Sequence, residues 1–226
     1  MFTRYAVYYT PEAGTPLAEF GKAWLGWDSA TGTACPHPDS AGLDLSALTA
    51  TPRPYGFHGT IKPPFHLADG ETTDQLQCAL AALCASSAPI TLNGLRLARL
   101  GRFLALVPIR AHDGLANLAA KAVRDLDHFR APLTDAERAR RRTASLSPAQ
   151  EAHLQRWGYP YVLDQFRFHL TLSGKLDTTT LTLAEAALEP RLGALDLAPY
   201  QISGLTLMGQ QENGRFYQIQ RYALTG

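Results

Sequence analysis

An excess of charge of either sign is missing from this chain of 226 residues: 21 Lys and Arg stand against 20 Asp and Glu, a formal net charge of +1. Proteins that hold long nucleic acid draw much of their affinity from neutralised phosphates and carry a basic surplus. The balance therefore favours a small substrate over a polymer. Cysteine is scarce. Cys35, Cys78 and Cys84 are odd in number and show no C-x-x-C spacing, so neither a disulfide framework nor a structural zinc site is expected. No apolar run approaches the roughly 20 residues that cross a bilayer. The start, Met1-Phe2-Thr3-Arg4-Tyr5, lacks the charged and apolar regions of a signal peptide. The expectation is a cytoplasmic protein with no membrane association. The sequence carries no signal for an oligomeric state.

What is present is an ordinary globular composition, 46% apolar and 18% charged, long enough for one domain or two small lobes. Arg4 to Tyr9 (RYAVYY) is aromatic and β-branched and predicts a strand. Thr15-Pro16 predicts a capped helix running to Trp24, followed by a long irregular stretch from about Gly32 to Pro54. Gly56 to Lys62 predicts a strand closed by Pro63-Pro64. Capping boxes at Thr72-x-x-Gln75, Thr134-x-x-Glu137 and Ser147-x-x-Gln150 open three helices. A further, amphipathic helix spans Leu115 to Leu126, and Thr182-x-x-Glu185 is expected to open another. Phe166 to Ser173 reads as a strand, as do segments near Gly94, Arg102, Gly204 and Arg215.

The order repeats itself. Tyr55-Gly56-Phe57-His58-Gly59-Thr60-Ile61 resembles Phe166-Arg167-Phe168-His169-Leu170-Thr171-Leu172 around a common F-H-x-T. Gly-Leu-x-Leu follows the histidine by 36 and 35 residues, and Gly-Arg-Phe by 43 and 45. Three matched landmarks in one order indicate an internal duplication, with repeat units at about 55–110 and 166–224 in a single bilobal domain over 1–226. The expected fold is α+β: two small antiparallel sheets with flanking helices around a central cleft.

On a strand, alternate side chains share a face. His58 and Thr60 then share one, while Phe57 and Ile61 take the other. In the second copy Arg167, His169, Thr171 and Ser173 oppose Phe166, Phe168, Leu170 and Leu172. A polar face of this kind is costly to bury unless it lines a wet cavity or binds something. Two imidazoles across a cleft suit displacement at phosphorus. One, neutral, takes a proton from the attacking water; the other, charged, gives one to the departing oxygen. Thr60 and Thr171 can donate to the non-bridging oxygens, and Lys62 and Arg167 have the strand parity to assist as substrate-binding cations. A metal site would want a carboxylate or a close third histidine beside the pair, and the motifs themselves supply none, so neither a metal nor another cofactor is expected.

Other candidates rank below these. Arg138, Arg140, Arg141 and Arg142 could meet a terminal phosphate but read better as a solvated helix face. Tyr5, Tyr9, Tyr159 and Tyr161 could stack on a base or sugar but fit core packing better. His66 follows the two prolines that break the strand register.

The paired H-x-T motifs resemble the two-histidine phosphoesterase superfamily. More narrowly, the segments RYAVYY, WLGWD, YGFHGTIKPPFHL, RRR…LSPAQ, WGYPYV and FRFHLTLSG resemble its branch associated with phosphonate metabolism, the DUF1045-like proteins. The resemblance implies a bilobal fold and metal-independent hydrolysis of a cyclic phosphodiester, with a ribose cyclic phosphate as a candidate substrate. Two other functions compete with it: an RNA-end 2′,3′-cyclic phosphodiesterase or 2′,5′-ligase-like activity, and a non-catalytic module that binds a nucleotide or phosphate in the same cleft. A salt-dependent affinity for RNA would mark the first. Turnover lost on changing either histidine would exclude the second.

Overall fold

The computed structural model describes residues 2–40, 42–142 and 146–226. In chain order the elements are strand β1 (Arg4–Tyr9), helix α1 (Pro16–Leu25), strands β2 (Trp27–Asp28) and β3 (Thr33–Ala34), helix α2 (Leu45–Leu48), strand β4 (Gly59–Phe65), helix α3 (Thr73–Ala85), strands β5 (Ile90–Leu92), β6 (Leu95–Leu100) and β7 (Phe103–Pro108), helices α4 (Asp113–Asp125), α5 (Asp135–Arg141) and α6 (Pro148–Trp157), strand β8 (Leu170–Thr171), helix α7 (Thr178–Gly193), and strands β9 (Tyr200–Ile202), β10 (Gly204–Gln210) and β11 (Phe216–Ala223).

The fold is α+β and antiparallel, as expected. Two half-sheets join edge to edge through β4 and β8, giving the order β11-β10-β1-β4-β8-β7-β6. The order is symmetric about the β4–β8 seam: β1 beside β4 answers β7 beside β8, and β10 answers β6 beyond them. β5 and β9, short strands not foreseen in the sequence, pair with each other. The symmetric unit therefore runs strand, helix, histidine strand, helix, two strands, starting at β1 and again at β7. It begins one strand and one helix earlier than the F-H-x-T landmark. β11 lies outside the symmetry as an added edge strand.

One face of the sheet carries the main core. Tyr5, Val7 and Tyr9 of β1, Ile61, Leu104, Leu106, Leu170 and Leu172 meet the apolar stripes of α1, α3, α4 and α7 there. Burying such stripes contributes roughly 25 cal/mol per Å² removed from water, which is what holds short strands in one sheet. The other face holds a small cluster of Ala6, Tyr8, Met208 and Phe216, with Tyr55 packed on it.

Three local expectations are corrected. β4 does not stop at Pro63-Pro64. It runs on to Phe65 through two register shifts against β1, because the prolines stand at a bulge and β8 pairs only at Gly59. β8 is two residues long rather than eight. Helix α7 starts at Thr178 rather than Thr182: Asp177 caps Thr180 N–H, and the Thr182 hydroxyl bonds back to the Thr178 carbonyl. The capping boxes at Thr72, Thr134 and Ser147 form as read.

Candidate functional site

The seam between the half-sheets builds the site. Gly59 pairs with Leu170 in antiparallel register. Continuing one residue each way sets Thr60 opposite His169 and His58 opposite Thr171. All four side chains then point to one face, and the two histidines are diagonal neighbours, roughly 7–8 Å apart at Cα. Phe57 and Phe168 are buried behind them on the other face.

Each imidazole is oriented in the same way. His58 Nδ1 lies 2.9 Å from the Gly56 carbonyl, and His169 Nδ1 lies 2.8 Å from the Arg167 carbonyl. A carbonyl only accepts, so Nδ1 carries hydrogen in both rings and donates it two residues back. Nε2 is left for chemistry in each. His58 Nε2 is 3.2 Å from the Thr60 hydroxyl, which in the neutral ring is a donor to it. The Thr171 hydroxyl makes no hydrogen bond among the described residues. Gly56 holds a positive φ of 74° and would drive a Cβ into the Ser29 side chain. Its left-handed backbone is what aims its carbonyl at the histidine. Gly59 lies flat under the Phe168 ring, where an added Cβ would come within 2.5 Å.

The walls differ. Tyr8 sits opposite Thr60 on β1 and stacks on His58 with ring centroids 3.8 Å apart. Ala105 holds the matching place opposite Thr171 on β7, and His169 meets a tilted Phe103 ring with centroids 5.9 Å apart. Loss of hydration under this wall lowers the His58 pKa from 6.5 to about 4. The Gly56 carbonyl opposes the shift and the His169 charge adds to it. Burial, with Tyr55 next in effect, holds the Tyr8 phenol well above its ordinary value, so Tyr8 is a neutral hydroxyl. It is 1% exposed and its oxygen has no hydrogen-bond partner among the described residues.

Thr60, His169 and Thr171 thus come together with His58. Lys62 does not join them. Thr60 pairs with Tyr8 while Lys62 pairs with Val7, and those neighbours face opposite ways. The bulge at Ile61 therefore turns Lys62 to the core side. There its ammonium is 2% exposed, donates to the Val123 carbonyl at 3.1 Å and faces Asp127 at 3.5 Å. Burial, only partly offset by Asp127, lowers its pKa from 10.5 to about 8. Arg167 is exposed and folds back on the Asp164 and Phe166 carbonyls. Ser173 is buried, accepting from Leu104 N–H and donating to the Gly174 carbonyl, and serves the backbone. Tyr5 and Tyr9 face the core, with hydroxyls on Thr73 and Tyr200. His66 is half-exposed beside Glu137 at 3.5 Å.

The arginine-rich helix divides. Arg142 pairs with Glu151 and Arg138 reaches the Leu133 carbonyl. Arg141 turns inward, onto the Gly158 and Pro64 carbonyls and over the Tyr159 ring. Tyr8 was missed in sequence because nothing local tells which β1 residue lies across from Thr60. Among the described residues no group of three or more His, Cys, Asp or Glu is placed to hold a metal ion, and no helix is long and apolar enough to cross a membrane.

The paired H-x-T motifs thus bring two histidines and two threonines to one sheet face. The family model described as "Protein of unknown function (DUF1045)" matches residues 60–218; this chain belongs to the DUF1045 family. Two relatives carry the name ribose 1,5-bisphosphate phosphokinase PhnN. The one from Janthinobacterium sp. (strain Marseille) is 38% identical over 99% of this chain and 51% of its own length. The one from Laribacter hongkongensis (strain HLHK9) is 36% identical over 96% and 51%. The chain thus spans about half the length of the curated relatives it matches. E. coli LigT complexed with 3′-AMP aligns over 100% of both chains, with 16% identity and a TM-score of 0.48.

Proposed function

We propose that the chain is a two-histidine phosphoesterase that hydrolyses a small cyclic phosphodiester without a metal ion. The observation that carries this reading is the seam register, which puts His58, Thr60, His169 and Thr171 on one face with both Nε2 atoms free of the backbone. A phosphate seated between the rings receives hydroxyl donors from Thr60 and Thr171 on its non-bridging oxygens. His58, kept neutral by its wall, takes a proton from the attacking water at Nε2. His169, at the more open wall, gives a proton to the departing ester oxygen. The phosphorus–oxygen bond to the leaving hydroxyl breaks as the bond to water forms, and a phosphomonoester results. The protons return to the starting state through solvent.

A phosphorylated ribose is the substrate class we favour. The relatives' name describes a kinase acting on ribose 1,5-bisphosphate. This chain contains no G-x-x-x-x-G-K-[S/T] phosphate loop and no parallel sheet among its described residues. The kinase name therefore fits the half of those proteins that this chain does not span, and a linked hydrolase acting on a related sugar phosphate is consistent with it. Screening 2′,3′-cyclic nucleotides and ribose cyclic phosphates after exhaustive EDTA treatment tests the reading. Phosphomonoester should form, with no gain on adding divalent metal. Turnover that disappears on chelation and returns with one metal ion would overturn it.

A further inference from the structure

Beside the histidine pair, the same sheet face carries basic groups that the proposed chemistry does not use. Arg4, Ala6 and Tyr8 alternate onto that face of β1, with Arg4 and Tyr8 roughly 13 Å apart along the strand. Arg4 lies over the Phe216 ring, and among the described residues only its Nε is engaged, by the Gln210 side chain at 2.6 Å. Arg141 approaches from α5, pinned by the Gly158 and Pro64 carbonyls and lying 5.6 Å from the Tyr159 ring centroid. Burial holds the Arg141 guanidinium below its ordinary range, with a smaller contribution from Arg4, and Arg4 and Tyr159 both lie near enough to bear on the Tyr8 phenol, which burial raises.

Of the neighbouring cations, Arg130 and Lys62 pair with Asp127, and Arg142 with Glu151. Arg4 and Arg141 have no carboxylate in ion-pair contact among the described residues. Glu137, whose charge reaches Arg141, is taken up by the Thr134 cap and faces His66. Two guanidinium groups on one face without a carboxylate between them, beside the Tyr8 ring, make a place where an anion is favoured.

We propose that Arg4 and Arg141, with the Tyr8 and Tyr159 hydroxyls, form a subsite for a second phosphoryl group. The substrate would then be a small cyclic phosphodiester that carries a phosphomonoester on the same scaffold. Guanidinium forks and neutral phenols suit that group, which presents three acceptor oxygens and close to two negative charges. The inference rests on the proposed hydrolysis only for the identity of the neighbouring group; the anion subsite itself can be measured alone.

The test has two arms, both on the full chain. Ribose 5-phosphate, which has no cyclic ester, is titrated calorimetrically into the wild type and into R4Q, R141K and H58A. Binding should be weakened about 10–100-fold in R4Q, less in R141K, and little in H58A. In the second arm kcat/KM is compared for ribose 1,2-cyclic phosphate with and without a 5-phosphate. The phosphorylated compound should be preferred by about 10–100-fold in the wild type, and R4Q should collapse that ratio. At Arg141 lysine is used because it keeps a charge near the two carbonyls that hold the side chain. Equal kcat/KM for both compounds, with ribose 5-phosphate binding indifferent to R4Q, would overturn the subsite. Arginine-dependent binding with no turnover of any cyclic ester would support the subsite while overturning the hydrolase.

Discussion

The two halves of the sheet share a plan and differ at the wall. Around His58, β1 supplies Tyr8, which stacks on the ring and takes it out of water. Around His169, β7 supplies Ala105 at the equivalent place, and the ring keeps an open side. The motif interiors differ as well. Gly59 leaves room for Phe168 over the first strand, whereas Leu170 fills the core from the second. The two rings share one tautomer, and one cross-strand residue makes their surroundings different. In the proposed chemistry acid and base roles follow from different surroundings, and Tyr8 is the residue that takes His58 out of water.

The strongest way to break this comparison is to remove each ring. H58A and H169A should each lower kcat by about 10²–10⁴-fold, with KM altered far less. The double variant should be much less than multiplicatively worse, because the pair serves one phosphate. Steady-state kinetics on folded variants decides this. A single variant with full kcat would remove that histidine from the chemistry.

Replacing the wall sharpens it. Y8A should rehydrate His58 and return its titration from about 4 towards 6.5, read by NMR of the ring protons. It should also cost about 3–5 kcal/mol of stability, as loss of a buried aromatic does. The sign of the linkage follows from the lowered pKa. Between 6.5 and 4 the unfolded chain binds the proton that the folded chain refuses, so wild-type stability falls as pH drops through that window and levels off below it. That slope is worth roughly 3 kcal/mol, and denaturant titrations at several pH values should show it shrink in Y8A.

A smaller effect is expected from G59A. The new methyl must displace the Phe168 ring, at about 1–3 kcal/mol, and the shift should loosen the Gly59–Leu170 pair that sets the histidines beside each other. Thermal denaturation alongside kcat should show both falling. H66A, at a half-exposed site outside the pair, should stay within about 0.5 kcal/mol of wild type in stability and leave kcat unchanged.

Much of this was legible in sequence where the signal is local. The capping boxes, the β1 strand and the alternation of Phe168, His169, Leu170 and Thr171 all follow from neighbours a few residues apart. Both motif histidines and threonines could be named because parity survives even where strand hydrogen bonding does not: Phe166 to His169 are not strand, yet alternate as one. What stayed hidden depends on pairing. The bulge in β4 reversed Lys62, since an inserted residue changes parity without marking the sequence. Tyr8 is one of three tyrosines in RYAVYY, and only its register against Thr60 singles it out. Arg141 differs from Arg138 and Arg142 by the direction in which a short helix presents it.

The most direct test of the account is the pH profile of kcat/KM on a cyclic phosphodiester with metal-stripped protein, since it reports the titrations of the free enzyme. The account predicts a bell whose acidic limb lies near pH 4, the value to which the His58 wall lowers that ring, and moves towards 6.5 in Y8A. An acidic limb already near 6.5 in the wild type and unmoved by Y8A would contradict the division of labour between the two halves.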